Sequence, residues 1–259
     1  LLALALLTST ACTSISKGIT EAIMDREVVD ERRCWITGRS FKGLDDLFLA
    51  STIDNTGTEG RLKVMTVHGI GSHAPGYSRR LLDSLVAGLG LTRMSEAVKT
   101  IPLTHPDYDG DLGILSVYRY MNDDLSREVL FYELTWDSIV EEQMRIIDYD
   151  SGPEAASRRA PLNHTMKAFL NKSIPDALIY NTAYRTPVQI SVAQSACWML
   201  TEKWTNLPDG EARYCDASRP ESWLNLGRSD VAVISHSLGS RISLDAIQQT
   251  VLRVARDPD

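Results

Sequence analysis

The chain has 259 residues, 43% of them hydrophobic and 24% charged, and 27 lysines and arginines against 34 acids give a net charge of -7. That length suits one large α/β domain or two small ones, and the composition is that of ordinary globular protein. The acidic balance offers no basic field to attract nucleic acid, and there is no solenoid repeat, no low-complexity tract and no apolar run of the ~18 residues a membrane span needs.

Leu1 to Leu7 reads LLALALL, and small residues follow as far as Ala11. An apolar run of this length before small residues reads as the later part of a secretory signal, so residues 1–11 are expected to be a signal-peptide remnant. Ala11-Cys12 resembles a bacterial lipoprotein processing site. That resemblance implies a lipidated Cys12, membrane association through it, and a place in the bacterial cell envelope, with a periplasmic or secreted protein as the alternative. Three cysteines then remain, Cys34, Cys197 and Cys215, enough for one disulfide and one free thiol. Cys197 with Cys215 is the first pair to test, and none of the spacings is that of a zinc site.

Residues 12–60 read as a lead-in segment that ends in the turn-rich DNTGTEG connector, Asp54 to Gly60. Leu62 to Val67 then forms a short buried strand that runs directly into His68-Gly69-Ile70-Gly71. From Tyr77 to Leu89 the apolar residues Tyr77, Leu81, Leu82, Leu85, Val86 and Leu89 share one helical face, as a crossover helix would require. Thr100 to Gly113 reads as loop. Ile114 to Met121 and Glu128 to Trp136 read as strands joined in a hairpin around Asn122-Asp123-Asp124, the second of them central in its sheet.

Asp137 is placed to cap a helix reaching about Ile147, with Glu141 and Glu142 near its positive end. Thr186-Pro187-Val188-Gln189 has the form of a capping box, and its helix carries Ile190, Ala193, Cys197, Leu200 and Trp204 as a stripe. Residues 138–204 are thus expected to be mostly helical, either as an insertion forming a lid or as a crossover to the next strand.

That strand is Val231 to Ser235, and it runs into Ser235-His236-Ser237-Leu238-Gly239 and then at once into a helix carrying Ile242, Ala246, Ile247, Val251 and Leu252. A serine at the apex of a strand, a sharp turn and a helix has the exposed perch that a hydroxyl nucleophile needs, along with a base and oxyanion donors. The stretch resembles the nucleophile elbow of the α/β-hydrolase family of lipases and esterases, whose G-x-S-x-G pattern it keeps except that Ser235 stands in the first glycine position. His68-Gly69-Ile70-Gly71 resembles the loop that supplies half the oxyanion hole in the same family.

The resemblance implies an α/β fold with a mostly parallel sheet flanked by helices, a core over residues 61–259, and a serine hydrolase acting on carboxylic esters. Ser237 would be the nucleophile, and the amides of Leu238 and Ile70 the oxyanion donors. His68, Gly69 and His236 would stand around the substrate, which would be an ester or lipid-like small molecule, with no cofactor and no metal. His68 and His73 could suggest a metal pair, but they lack a third ligand in sequence.

In this family the triad acid and histidine follow the nucleophile. Here no histidine follows Ser237, and the later acids are Asp245, Asp257 and Asp259. The expectation is a chain truncated on its C-terminal side, with the base beyond Asp259, inactive alone and with the Ser237 strand left as an uncovered edge. The alternative is a non-catalytic α/β-hydrolase-like envelope lipoprotein with a binding or structural role.

Overall fold

The computed structural model describes residues 43–50, 61–149, 175–216, 222 and 230–256. The expected signal remnant, Cys12, Cys34, the 54–60 connector and residues 150–174 lie outside the described residues. Helix α1 (Leu44–Ala50) precedes strand β1 (Arg61–Val67), helix α2 (Arg79–Gly88), and strands β2 (Leu91–Pro102), β3 (Ile114–Asn122) and β4 (Glu128–Thr135). Helices α3 (Glu141–Tyr149), α4 (Pro175–Tyr180) and α5 (Arg185–Thr201) follow, then strand β5 (Asp230–Ser235) and helix α6 (Leu238–Arg256).

The five strands form one sheet in the order β2-β3-β4-β1-β5. β1 lies parallel to both β4 and β5, whereas β2 with β3 and β3 with β4 are antiparallel. The fold is therefore α/β with a mixed sheet, which corrects the expectation of a mostly parallel one. A hairpin forces the correction, because the short turn after Asn122 can only return the chain antiparallel. β5 is an outer strand of the described sheet.

β1 and β4 sit at the centre and are buried on both faces. Every residue of β4 is buried, and so is every residue of β1 after Arg61. Near-continuous apolar stretches such as Val129 to Tyr132 are what a strand covered on both sides requires. On one face, Leu62, Val64, Val129 and Phe131 join Phe48 of α1 and Leu82 of α2. On the other, Met65, Val67, Leu130, Tyr132 and Leu134 join Val188, Val192 and Trp198 of α5 and Ile242 and Ala246 of α6.

Four local readings need correction. Residues 91–102 form a strand where loop was expected from Thr100; it is an outer strand whose register with β3 shifts between Arg93 and Val98, so it shows no clean alternation. The α5 helix begins at Arg185 with no side-chain cap, so Thr186 to Gln189 is its first turn and makes no capping box. Twelve of its residues are buried around the helix, not along a stripe, because it lies between the sheet and α6. α5 is thus an internal helix on the path from β4 to β5.

Asp137 opens a short 3-10 turn, Asp137–Ile139, and its carboxylate is engaged elsewhere instead of capping α3. Cys197 of α5 is bonded to Cys215, with their Cα atoms 5.9 Å apart. Gln194 fastens the same loop by accepting the Cys215 N–H at 2.7 Å.

Candidate functional site

The carboxyl ends of the two adjacent parallel strands β1 and β5 bring the sequence-identified segments together. Ser237 is the second of the two residues between β5 and α6 and has φ +54°. A non-glycine residue in the left-handed region costs ~1–3 kcal/mol and persists only where its surroundings enforce it. Here the enforcement is visible on both sides. His236 N–H donates to the Val67 carbonyl at 3.3 Å, and Gly239 N–H donates back to the His236 carbonyl at 3.0 Å. The turn is tied to β1 before the serine and closed on itself after it.

Two glycines make that closure possible. A Cβ on Gly239 would fall 2.5 Å from the Val67 carbonyl oxygen and would also strike that of His68. A Cβ on Gly69 would fall 2.7 Å from both the His236 carbonyl oxygen and Ser237 Cβ, and 3.3 Å from Leu238 N. Both separations are below any real Cβ contact, so each loop leaves room only for the bare backbone of the other. Gly69 thus lies against Ser237 and Leu238, with Ile70 one residue further on. As the first residue of α6, Leu238 has one of the amides for which a helix supplies no acceptor. Ser237 itself is exposed.

His68 and His236 take different places. His236 is exposed. His68 is 2% exposed, its ring stacked between Trp136 at a centroid distance of 4.8 Å and His73 at 4.2 Å. Its Nδ1 lies 3.0 Å from the Gly69 carbonyl, and its Nε2 lies 3.0 Å from Asp137 Oδ1 and 3.3 Å from the Trp136 amide nitrogen. Burial, with the nearby His73 adding to it, pulls its pKa from 6.5 down to about 3, against the pull of the Gly69 carbonyl. His68 is therefore a neutral ring inside the protein, suited to order its loop and not to touch a ligand.

Asp137 is the residue that sequence reading missed. Its Oδ2 accepts the backbone N–H of His73, while its Oδ1 faces His68, so one carboxylate reaches both ends of the 68–73 loop. No local signal could have revealed this, because the partners lie 64 and 69 residues away in the chain. His73 Nδ1–H donates to the Gly71 carbonyl at 2.6 Å. Further along, Glu133 accepts the N–H groups of Gly76 and Ser78 and the Ser78 hydroxyl, so a strand carboxylate caps α2 in place of a side chain of its own. Tyr77 O–H reaches the carbonyls of Thr66 and Leu134, both at 3.2 Å, and burial pushes its pKa up. The loop after β1 is thereby anchored along its whole length.

His68, His73 and Asp137 together offer three ligand atoms within 4.8 Å of one another. The rings do not suit a shared ion. Two imidazoles on one tetrahedral metal at ~2.1 Å would have centroids about 5 Å apart, whereas these stack at 4.2 Å with planes inclined by 26°. Stacked rings direct their lone pairs along separate planes, so the cluster fits hydrogen bonding better than coordination.

A cavity of about 880 Å³ opens beside this loop. Ile114, Val140 and Met144 give it apolar wall, and Gly71, His73 and Asp137 bring it to the loop's edge. Its size is that of a small-molecule site, and it lies at the carboxyl ends of the parallel strands β1 and β4, where α/β sheets bind their ligands.

Fold and site together define an α/β protein with a mixed sheet and a serine held in a strained strand-to-helix turn. Compared with known proteins, the chain matches no family model, no curated protein and no solved structure.

Proposed function

We propose that this protein is a serine hydrolase of the α/β-hydrolase kind, acting on carboxylic esters through an acyl-enzyme on Ser237. The observation that carries the reading is the backbone of Ser237 itself, at φ +54° and pressed against the glycine of the neighbouring loop. Such strain at an exposed serine is costly and has no structural use in evidence, whereas a nucleophile benefits from the perch it creates.

In this reading Ser237 Oγ attacks the ester carbonyl, and the amides of Leu238 and Ile70 receive the developing oxyanion. The alcohol leaves, and water releases the acyl group. The Cys197–Cys215 disulfide supports export to an oxidising compartment, in keeping with an envelope protein held by a lipidated Cys12. Among the described residues no helix is long and apolar enough to cross a membrane.

One observation favours the second reading, a non-catalytic envelope lipoprotein that binds a ligand on the same scaffold. Among the described residues no histidine hydrogen-bonds Ser237: His68 and His73 face Gly69, Gly71 and Asp137, and His105 accepts the Asp107 N–H. Turnover separates the two. With the protein expressed from its full open reading frame, the first reading predicts hydrolysis of a short-chain nitrophenyl ester that falls about 10⁴-fold or more in Ser237→Ala. Equal rates in the two proteins favour the second.

A further inference from the structure

We propose that the segment from Glu202 to Cys215 is a strap closed over the outer edge of β2, with the Cys197–Cys215 disulfide as its redox-sensitive latch. The inference stands apart from the hydrolase reading, since it involves neither Ser237 nor the loops around it. The strap leaves the carboxyl end of α5 and returns to that helix where Cys215 is bonded to Cys197, 18 positions earlier in the chain. In between it runs along β2. Asp209 Oδ1 accepts the Thr100 N–H at 3.1 Å, and the Gly210 N–H donates to the Thr100 carbonyl at 2.7 Å. Arg213 forms a parallel bridge with Leu103, just past the end of the strand. Lys99 Nζ donates to the carbonyls of Trp204 at 2.9 Å and Leu207 at 2.7 Å. Trp204 and Leu207 are themselves buried in the same core cluster as Ile101 and Leu103.

These contacts close the edge where it is open. Successive residues of a strand turn their N–H and C=O groups to opposite sides, and Thr100 turns both of its groups away from β3 and toward the strap. Pro102 faces the same way and has no N–H to offer. Over Thr100 to Pro102 the one outward N–H is therefore that of Thr100, and Asp209 holds it. An outward donor and acceptor on an outer strand are the groups through which a foreign strand would dock, and the strap occupies both.

The latch and the strap protect each other. Cys197 is fully buried and Cys215 is 8% exposed, and Gln194 holds the Cys215 backbone by both its N–H and its carbonyl. A thiolate must reach a sulfur before it can exchange, so the strap has to lift before the disulfide is attacked. A dithiol then supplies two electrons and two protons, the S–S bond breaks, Cys197 and Cys215 become thiols, and the dithiol closes to its own disulfide. The closed loop becomes an open chain, and the edge contacts alone must offset the entropy of ordering it. The β2 edge is thus closed in an oxidising compartment and released in a reducing one.

The test uses protein expressed from its full open reading frame, with and without excess dithiothreitol, the loss of the disulfide being confirmed by mass. Reduction should quicken amide hydrogen exchange at Thr100 and Gly210 at least about tenfold while the β4 amides stay unchanged, as for a local opening. Because the strap shields the latch, Lys99→Met and Asp209→Ala should each speed reduction by dithiothreitol about tenfold. Asp209 is exposed, so Asp209→Ala leaves the core intact and decides the matter should Lys99→Met not fold. Unchanged exchange at Thr100 and Gly210 in the reduced protein overturns the latch. Exchange that quickens in β4 as well overturns it too, since the disulfide would then hold the whole fold. A reduction rate in Asp209→Ala equal to that of the wild type overturns the shielding by the strap.

Discussion

At the amino end of β1, Arg61 and Lys63 bring cations into the fold; at its carboxyl end, His68 is a buried ring held neutral. Glu128 is completely buried between Arg61 and Arg119, the latter at 2.5 Å, in direct register with the start of β1. Lys63 Nζ donates to the Met199 carbonyl at 2.5 Å and the Glu202 carbonyl at 3.4 Å, at the carboxyl end of α5, where a helix dipole favours a cation. At the far end of the strand the partners are backbone groups, aromatic faces and the single carboxylate of Asp137. The difference separates two tasks for buried polar groups. Charge pairing through Glu128 ties strands β1, β3 and β4 to one another and the Lys63 ammonium ties β1 to the end of α5, while hydrogen bonding around the uncharged His68 ring shapes a loop.

The comparison can be broken most easily in acid. The folded-state pKa of His68, about 3, lies below its ordinary 6.5. The unfolded chain therefore takes up the proton first, and the stability tied to the neutral ring is complete above pH 6.5 and lost as pH falls from there toward 3. Over that window the loss is roughly 4–5 kcal/mol. Thermal unfolding from pH 7 to pH 4 should show a steep acid limb that shrinks in His68→Gln. An identical limb in both proteins would mean that the ring is not held neutral.

A smaller effect should come from the amino end. Glu128→Ala leaves two guanidinium groups without their shared carboxylate, and denaturant unfolding should report a loss of about 3 kcal/mol. A loss below ~1 kcal/mol would mean the cluster is hydrated in solution. The smallest effect has the same pH sense but falls in the alkaline range. Burial above all, with Arg61 beside it, brings Lys63 down from 10.5 to about 8. The unfolded chain holds that proton longer, so stability rises as pH climbs above 8, by roughly 2 kcal/mol up to pH 9.5. The gain should vanish in Lys63→Met; its survival would place its source elsewhere.

Much of this architecture can be read from the chain because its signals are local. β1, the hairpin and the Ser237 turn each combine a short apolar run with turn residues, and the structure places them within a residue or two of the expected positions. The Cys197–Cys215 pair is bonded, as the first pairing to test. β2 escaped notice because an outer strand with Arg93, Glu96 and Lys99 need not alternate. α5 looked amphipathic because a stripe can be drawn through a helix that is in fact buried on all sides. The candidate site divides in the same way. Ser237, Gly239 and Gly69 announce themselves by spacing, whereas Asp137 resembled a helix cap, and only the adjacency of β1 and β4 brings it to His68.

The central claim is that the strained turn exists to present a reactive serine. Mass-spectrometric mapping of a fluorophosphonate adduct, on protein expressed from its full open reading frame, tests it most directly. The account predicts one adduct, on the peptide containing Ser237, absent from Ser237→Ala and from heat-unfolded protein. No adduct, or an adduct elsewhere that persists in Ser237→Ala, would contradict it.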